Sequence, residues 1–104
     1  MTLRRETPIN IPADHPSLAG HFPGAPVVPG VVLLEEILLA AQMCFGERMR
    51  IVSIPQVKFL APLLPEEQAS VHLELDGLVL RFRLERDKRI LVQGHFTLIA
   101  EPFS

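Results

Sequence analysis

The sequence predicts an α+β domain in which a strongly curved antiparallel sheet wraps around one long central helix. Three observations predict it. Residues 31–45 (VVLLEEILLAAQMCF) are apolar on nearly every side. A helix laid on a sheet surface would keep a polar stripe, so this one must be wrapped. Four segments of alternating apolar and polar residues follow it, joined by short turns, as antiparallel strands are. One extended segment precedes it, beyond a proline-rich loop.

The elements follow in order. Residues 2–11 read as an extended segment, with Leu3, Thr7, Ile9 and Ile11 on one side and Arg4, Glu6 and Asn10 on the other. Residues 12–30 are loop, punctuated by Pro12, Pro16, Pro23, Pro26 and Pro29. The helix over 31–45 is closed by Gly46 as its C-cap. Residues 50–60 are strand-like but interrupted at Pro55, which predicts an edge position or a bulge. A proline-rich turn at 62–66 leads into 69–75, where Val71, Leu73 and Leu75 alternate with His72, Glu74 and Asp76. In 78–84, Leu80, Phe82 and Leu84 alternate with Arg81 and Arg83. A turn at Asp87-Lys88 leads to 89–100, where Ile90, Val92, Phe96 and Leu98 share a face. A sheet curled around a single helix, with edges left for a second chain to pair, is the hotdog fold.

With 104 residues the chain suits one domain, 1–104. Its 48% hydrophobic and 21% charged content are those of a soluble globular protein. A net charge of −2 argues against a general nucleic-acid binder, which needs an excess of Lys and Arg on one face. Cys44 is the only cysteine, so the sequence predicts neither an internal disulfide nor a multi-cysteine metal site, and a reducing cytoplasm is the expected location. Residues 1–12 show no signal-peptide pattern. The apolar run 31–45 is short for a membrane span and carries Glu35 and Glu36, so no membrane partner is expected.

The stretch His21-Phe22-Pro23-Gly24-Ala25-Pro26-Val27-Val28-Pro29-Gly30 carries three prolines and two glycines in ten residues. That composition makes a stiff loop, which presents an imidazole ahead of a helix that holds a carboxylate in its early turns. Fourteen positions separate His21 from Glu35. The pattern H-F-P-G-x-P-x-x-P-G-V-x-x-x-E resembles the signature of the 3-hydroxyacyl-acyl-carrier-protein dehydratases of fatty-acid synthesis, which are hotdog proteins. Val57-Lys58-Phe59-Leu60-Ala61-Pro62, followed by Pro65, is similar to that family's next segment. The likeness covers roughly residues 7–100. Small stand-alone dehydratases of secondary pathways, such as those making aryl polyenes, are the closer match in size.

The resemblance implies that His21 is the catalytic histidine and Glu35 the catalytic carboxylate. It implies that backbone N–H groups of Gly30 and Val31 face the thioester carbonyl, and that Phe22, Pro29, Lys58 and Phe59 line the substrate. It further implies a dimer whose sites combine the histidine of one subunit with the glutamate of the other. The partner is a second copy or a paralogue, and the substrate is a thioester of acyl carrier protein or of coenzyme A. Neither a metal nor another cofactor is required. The sequence departs from the family in four ways: it starts late, without the usual N-terminal helix and first strand; Leu39 replaces a residue that is often polar; there is no tyrosine; and Leu60 replaces a second basic residue.

The implied chemistry suits these residue types. Removing a C2 proton asks for a base that titrates near neutrality, which histidine supplies. Expelling the 3-hydroxyl asks for a protonated acid. Glu35 has Val31, Val32, Leu38 and Leu39 as helical neighbours, so desolvation is expected to raise its pKa. Periodicity alone does not separate Glu35 from Glu36, which also has apolar neighbours. The remaining polar residues have plainer roles: His15 in a turn, His72 and His95 on the polar side of strands, Gln42 at the core edge. Arg81, Arg83, Arg86, Lys88 and Arg89 form a solvated face or, with Lys58, a docking patch for an acidic carrier. Two other functions fit the same fold: a thioesterase in which the helix carboxylate activates water, and a non-catalytic dimer partner of a full-length dehydratase.

Overall fold

The computed structural model describes residues 2–12, 27–46 and 49–100. Its elements are β1 (Thr2–Ile9), α1 (Gly30–Phe45), β2 (Met49–Phe59), β3 (Ala69–Asp76), β4 (Val79–Arg86) and β5 (Arg89–Ala100). The expected order of strand, helix and four strands is met, with boundaries within two residues. The five strands form one antiparallel sheet in the order β1-β3-β4-β5-β2.

Turn chemistry fixes the register of the β3-β4-β5 meander. Asp87 and Lys88 both adopt positive φ, at 51° and 65°. That is the backbone of a two-residue hairpin turn whose twist matches the strands it joins. Gly77, at φ 61°, opens the β3–β4 turn in a conformation that costs glycine little. Pro55 has no N–H to donate. β2 accordingly runs along an edge of the sheet, and its pairing with β5 slips between Ile51 and Ser53 and again between Ser53 and Gln56. β5 answers this bend with Gly94: a Cβ there would collide with the backbone carbonyl of Gln56.

Alternation sorts the sheet into two faces. Val71, Leu73, Leu80, Phe82, Leu84, Val92, Phe96 and Leu98 are buried on the inner face, where the Phe82 and Phe96 rings pack with centroids 4.6 Å apart. Helix α1 closes this core with Val32, Leu33, Ile37 and Ala41. Gly46, at φ 128°, ends the helix and donates its N–H to the Gln42 carbonyl at 2.9 Å. The outer face is polar. Arg4, Glu74, Arg81, His95 and Gln56 lie opposite one another across all five strands, as do Glu6, His72, Arg83, Gln93 and Lys58. His72 Nε2 sits 3.0 Å from Glu85 and 3.5 Å from Glu6, so it ties β3 to both neighbours, a structural role of the plain kind its sequence position suggested.

Among the described residues the helix is covered on one side only. Val31, Glu35, Leu39 and Met43, four residues apart, form a stripe on the side turned away from the sheet, and all four are exposed. The two edges of the sheet also differ. β1 shows charged Arg4, Arg5 and Glu6, whereas β2 exposes Val52 and Ile54.

Candidate active site

The site is organised around the start of α1. Pro29 is its N-cap and provides neither a side-chain cap nor an N–H, and the first turn holds no acidic residue. The Pro29 carbonyl accepts the N–H groups of Val32 at 3.0 Å and Leu33 at 3.2 Å. Among the described residues, the N–H groups of Gly30 and Val31 have no hydrogen-bond acceptor. Two aligned donors at the positive end of the helix dipole are therefore available to an oxyanion.

This helix end is held by the segment 60–67. Val28 donates to the Leu63 carbonyl at 2.8 Å, and Leu63 is fully buried. Leu60 and Ala61 donate to the Leu91 carbonyl of β5, and Glu66 donates to the Ile11 carbonyl just past β1. The proline-rich turn thus pins the lead-in of the helix to β5 and to the chain just past β1. Between them runs a groove lined by Val27, Val28, Gly30, Leu33, Phe59, Leu60, Ala61 and Pro62, none of which carries a charged or hydrogen-bonding side chain.

The candidate residues do not all meet here. Gly30 and Phe59 do: the Phe59 ring occupies the space a side chain on Gly30 would need. Pro29 and Val31 flank Gly30 in the chain. Lys58 does not, because alternation along β2 turns it to the outer face with Gln93 and Arg83. His21 and Phe22 lie outside the described residues, as does His15.

Glu35 stands five residues into the helix from Gly30, about 7.5 Å along the axis, with its side chain inclined back toward the N-terminus. Its expected burial is not met in the single chain, where it is exposed. The physical reason is angular. The neighbours Val31 and Leu39 are apolar as expected, but they lie with Glu35 on the face opposite Leu33 and Ile37. Among the described residues nothing covers that face. Glu36, by contrast, is half-buried and has an interaction partner. Among the described residues no group of three or more His, Cys, Asp or Glu side chains is placed to hold a metal, and no helix is long and apolar enough to cross a membrane.

The profile of the ApeI-like family, described as ApeI dehydratase, matches residues 3–95. The chain belongs to this dehydratase family. Among curated proteins it is similar to the 3-hydroxyacyl-[acyl-carrier-protein] dehydratase FabZ of Haemophilus influenzae (strain PittEE), at 31% identity over 74 residues, covering 64% of this chain and 50% of that protein. It thus spans about half the length of the curated relatives it matches. Among solved structures it superposes on the dehydratase heterocomplex ApeI:P from Xenorhabdus doucetiae with a TM-score of 0.81 at 27% identity, covering 91% of this chain and 86% of the other. An (R)-hydratase from A. caviae, at 14% identity and a TM-score of 0.77, shares the fold. So does a gentisyl-coenzyme A thioesterase, at 15% and 0.72. The fold of this ApeI-like chain is the hotdog fold.

Proposed function

We propose that this protein dehydrates (3R)-hydroxyacyl thioesters to trans-2-enoyl thioesters. The observation that carries this reading is the uncapped start of α1, with free Gly30 and Val31 N–H groups and Glu35 on the same helix, in a chain of a dehydratase family. The two N–H groups polarise the thioester carbonyl and stabilise the enolate-like oxygen as C2 loses its proton to His21. Glu35 protonates the departing 3-hydroxyl, which leaves as water while the C2–C3 double bond forms. The proton taken by His21 returns through solvent to Glu35, restoring both groups for the next turnover.

The working unit is a dimer. The exposed Val31–Leu39–Met43 stripe, and Val52 and Ile54 on the β2 edge, leave apolar surface for a second chain to cover, whereas the charged Arg4, Arg5 and Glu6 of the β1 edge resist pairing. Covering the stripe buries Glu35 and supplies the desolvation that a neutral acid needs. The similarity to a dehydratase heterocomplex supports a second arrangement, in which a paralogue rather than a second copy covers this face.

One assay tests the proposal: the pure protein alone on a 3-hydroxybutyryl thioester. Enoyl absorbance supports the dehydratase, and free thiol without enoyl product points to a thioesterase. Silence that is relieved only by adding a paralogue identifies a partner subunit.

A further inference from the structure

We infer that Phe59 is the side chain that sets acyl-chain length at this site, an inference that rests on the thioester reading above. Phe59 ends β2, and its ring lies against the first residue of α1. An ideal Cβ on Gly30 would sit 2.9 Å from both Cε1 and Cζ of the ring, so the absence of a side chain at Gly30 is what seats it there. The ring nevertheless remains 53% exposed. It is held on one side and open on the other, unlike Leu33, Val28 and Leu63 around it, which are fixed in the core.

The position matters more than the contact. Gly30 carries one of the two free donors, so the ring stands beside the point where a thioester carbonyl would be held. The groove that continues past it is walled by Val27, Val28, Leu33, Leu60, Ala61 and Pro62. Among the described residues this wall carries no hydrogen-bonding side chain, which suits a hydrocarbon tail better than a nucleotide or a sugar. Of the described side chains lining it, Phe59 is the largest, and its ring rests against a glycine. In that seat it narrows the groove next to the reacting end of the substrate. The site as built therefore favours short acyl groups, and a longer chain must displace the ring.

Binding rather than turnover tests this, so that the result stands apart from whether the protein is a dehydratase. Non-reactive acyl-pantetheine amides with four-carbon and ten-carbon chains are titrated calorimetrically into the wild type, Phe59→Ala and Phe59→Leu. The wild type is expected to bind the ten-carbon ligand no more tightly than the four-carbon one. Phe59→Ala is expected to improve the ten-carbon ligand by at least about tenfold relative to the four-carbon one, the scale of burying two further methylene groups. Phe59→Leu falls between. A ratio unchanged by Phe59→Ala, in a variant whose circular dichroism and melting match the wild type, overturns the inference. If Phe59→Ala does not fold, Gly30→Ala decides instead: its methyl evicts the ring, and an unchanged ratio there is equally fatal. Wild-type protein that binds these ligands but forms no enoyl product, alone or with a paralogue, overturns the dehydratase reading and leaves the assignment of Phe59 standing.

Discussion

Replacing Leu39 with lysine separates the single-chain fold from the assembly the proposed site requires. In the single chain Leu39 is 51% exposed and lies outside the buried face Val32, Leu33, Ile37 and Ala41. Leu39→Lys should therefore cost the isolated fold almost nothing. Lysine is a good helix former, and it would stand four residues after Glu35, the favourable order for an ion pair worth about 0.3–0.5 kcal/mol. In the dimer the balance reverses. Complete burial of a leucine contributes about 1.5–3 kcal/mol, so covering the exposed half of Leu39 contributes roughly 1 kcal/mol in each subunit. Two copies make about 2 kcal/mol, or roughly thirtyfold in the dimer dissociation constant. Desolvating two ammonium groups adds to that figure. Sedimentation equilibrium across a dilution series measures the shift, and thermal melting at low concentration checks the fold. Dehydratase activity should fall with the dimer, because Glu35 loses the surface that desolvates it. A Leu39→Lys protein that dimerises as tightly as wild type, or one that works as a monomer, would refute the reasoning.

Other expectations follow from the same geometry. His21→Ala should lower dehydration by at least ~10²-fold in steady-state assays, the usual scale for loss of a general base, while sedimentation shows the dimer intact. Glu35→Gln should abolish activity and Glu36→Gln should retain most of it; the reverse result would shift the acid by one helix position. If the site is shared, mixing His21→Ala and Glu35→Gln subunits should return about a quarter of wild-type activity once exchange is verified, since half of the dimers would carry one intact site. Gly94→Ala should destabilise the fold by about 1–3 kcal/mol in urea denaturation, because its methyl meets the Gln56 and Val57 backbone rather than a movable side chain.

The fold was legible in the sequence because its signals are local. Alternation in 69–75 and 78–84 placed the inner and outer faces correctly, and Asp87-Lys88 marked a turn of the right kind. Pro55 pointed to an edge position or a bulge, and β2 has both an edge position and a slipped register. Boundaries moved where tertiary contacts compete with pattern. Ile11 matches the apolar side of the first segment and is buried, yet the β1 ladder stops at Ile9, because the Ile11 carbonyl is taken by Glu66. Lys58 shows the opposite case. Its place in the motif suggested the substrate, but strand alternation next to Phe59 sends it to the other face.

Glu35 shows what a single sequence leaves out. Its neighbours on the helix are as apolar as expected, but apolar neighbours desolvate a carboxyl only when something covers them, and helical periodicity does not say whether that cover is the chain itself. Here the sheet takes the Leu33–Ile37 face, leaving Val31, Glu35, Leu39 and Met43 together in the open. A carboxylate in the middle of an otherwise apolar exposed stripe is costly to cover unless it is neutral or finds a partner. The same residue that makes the stripe a poor packing surface therefore gives it a chemical use. If the proposed dimer covers this stripe, exchanging the carboxyl for an amide removes the group that is most costly to bury there. Glu35→Gln should accordingly lower the dimer dissociation constant while it abolishes turnover. Sedimentation equilibrium of wild type and Glu35→Gln across a dilution series decides it. An unchanged dissociation constant would mean that the second chain does not cover Glu35, and the acid would then have to be sought elsewhere.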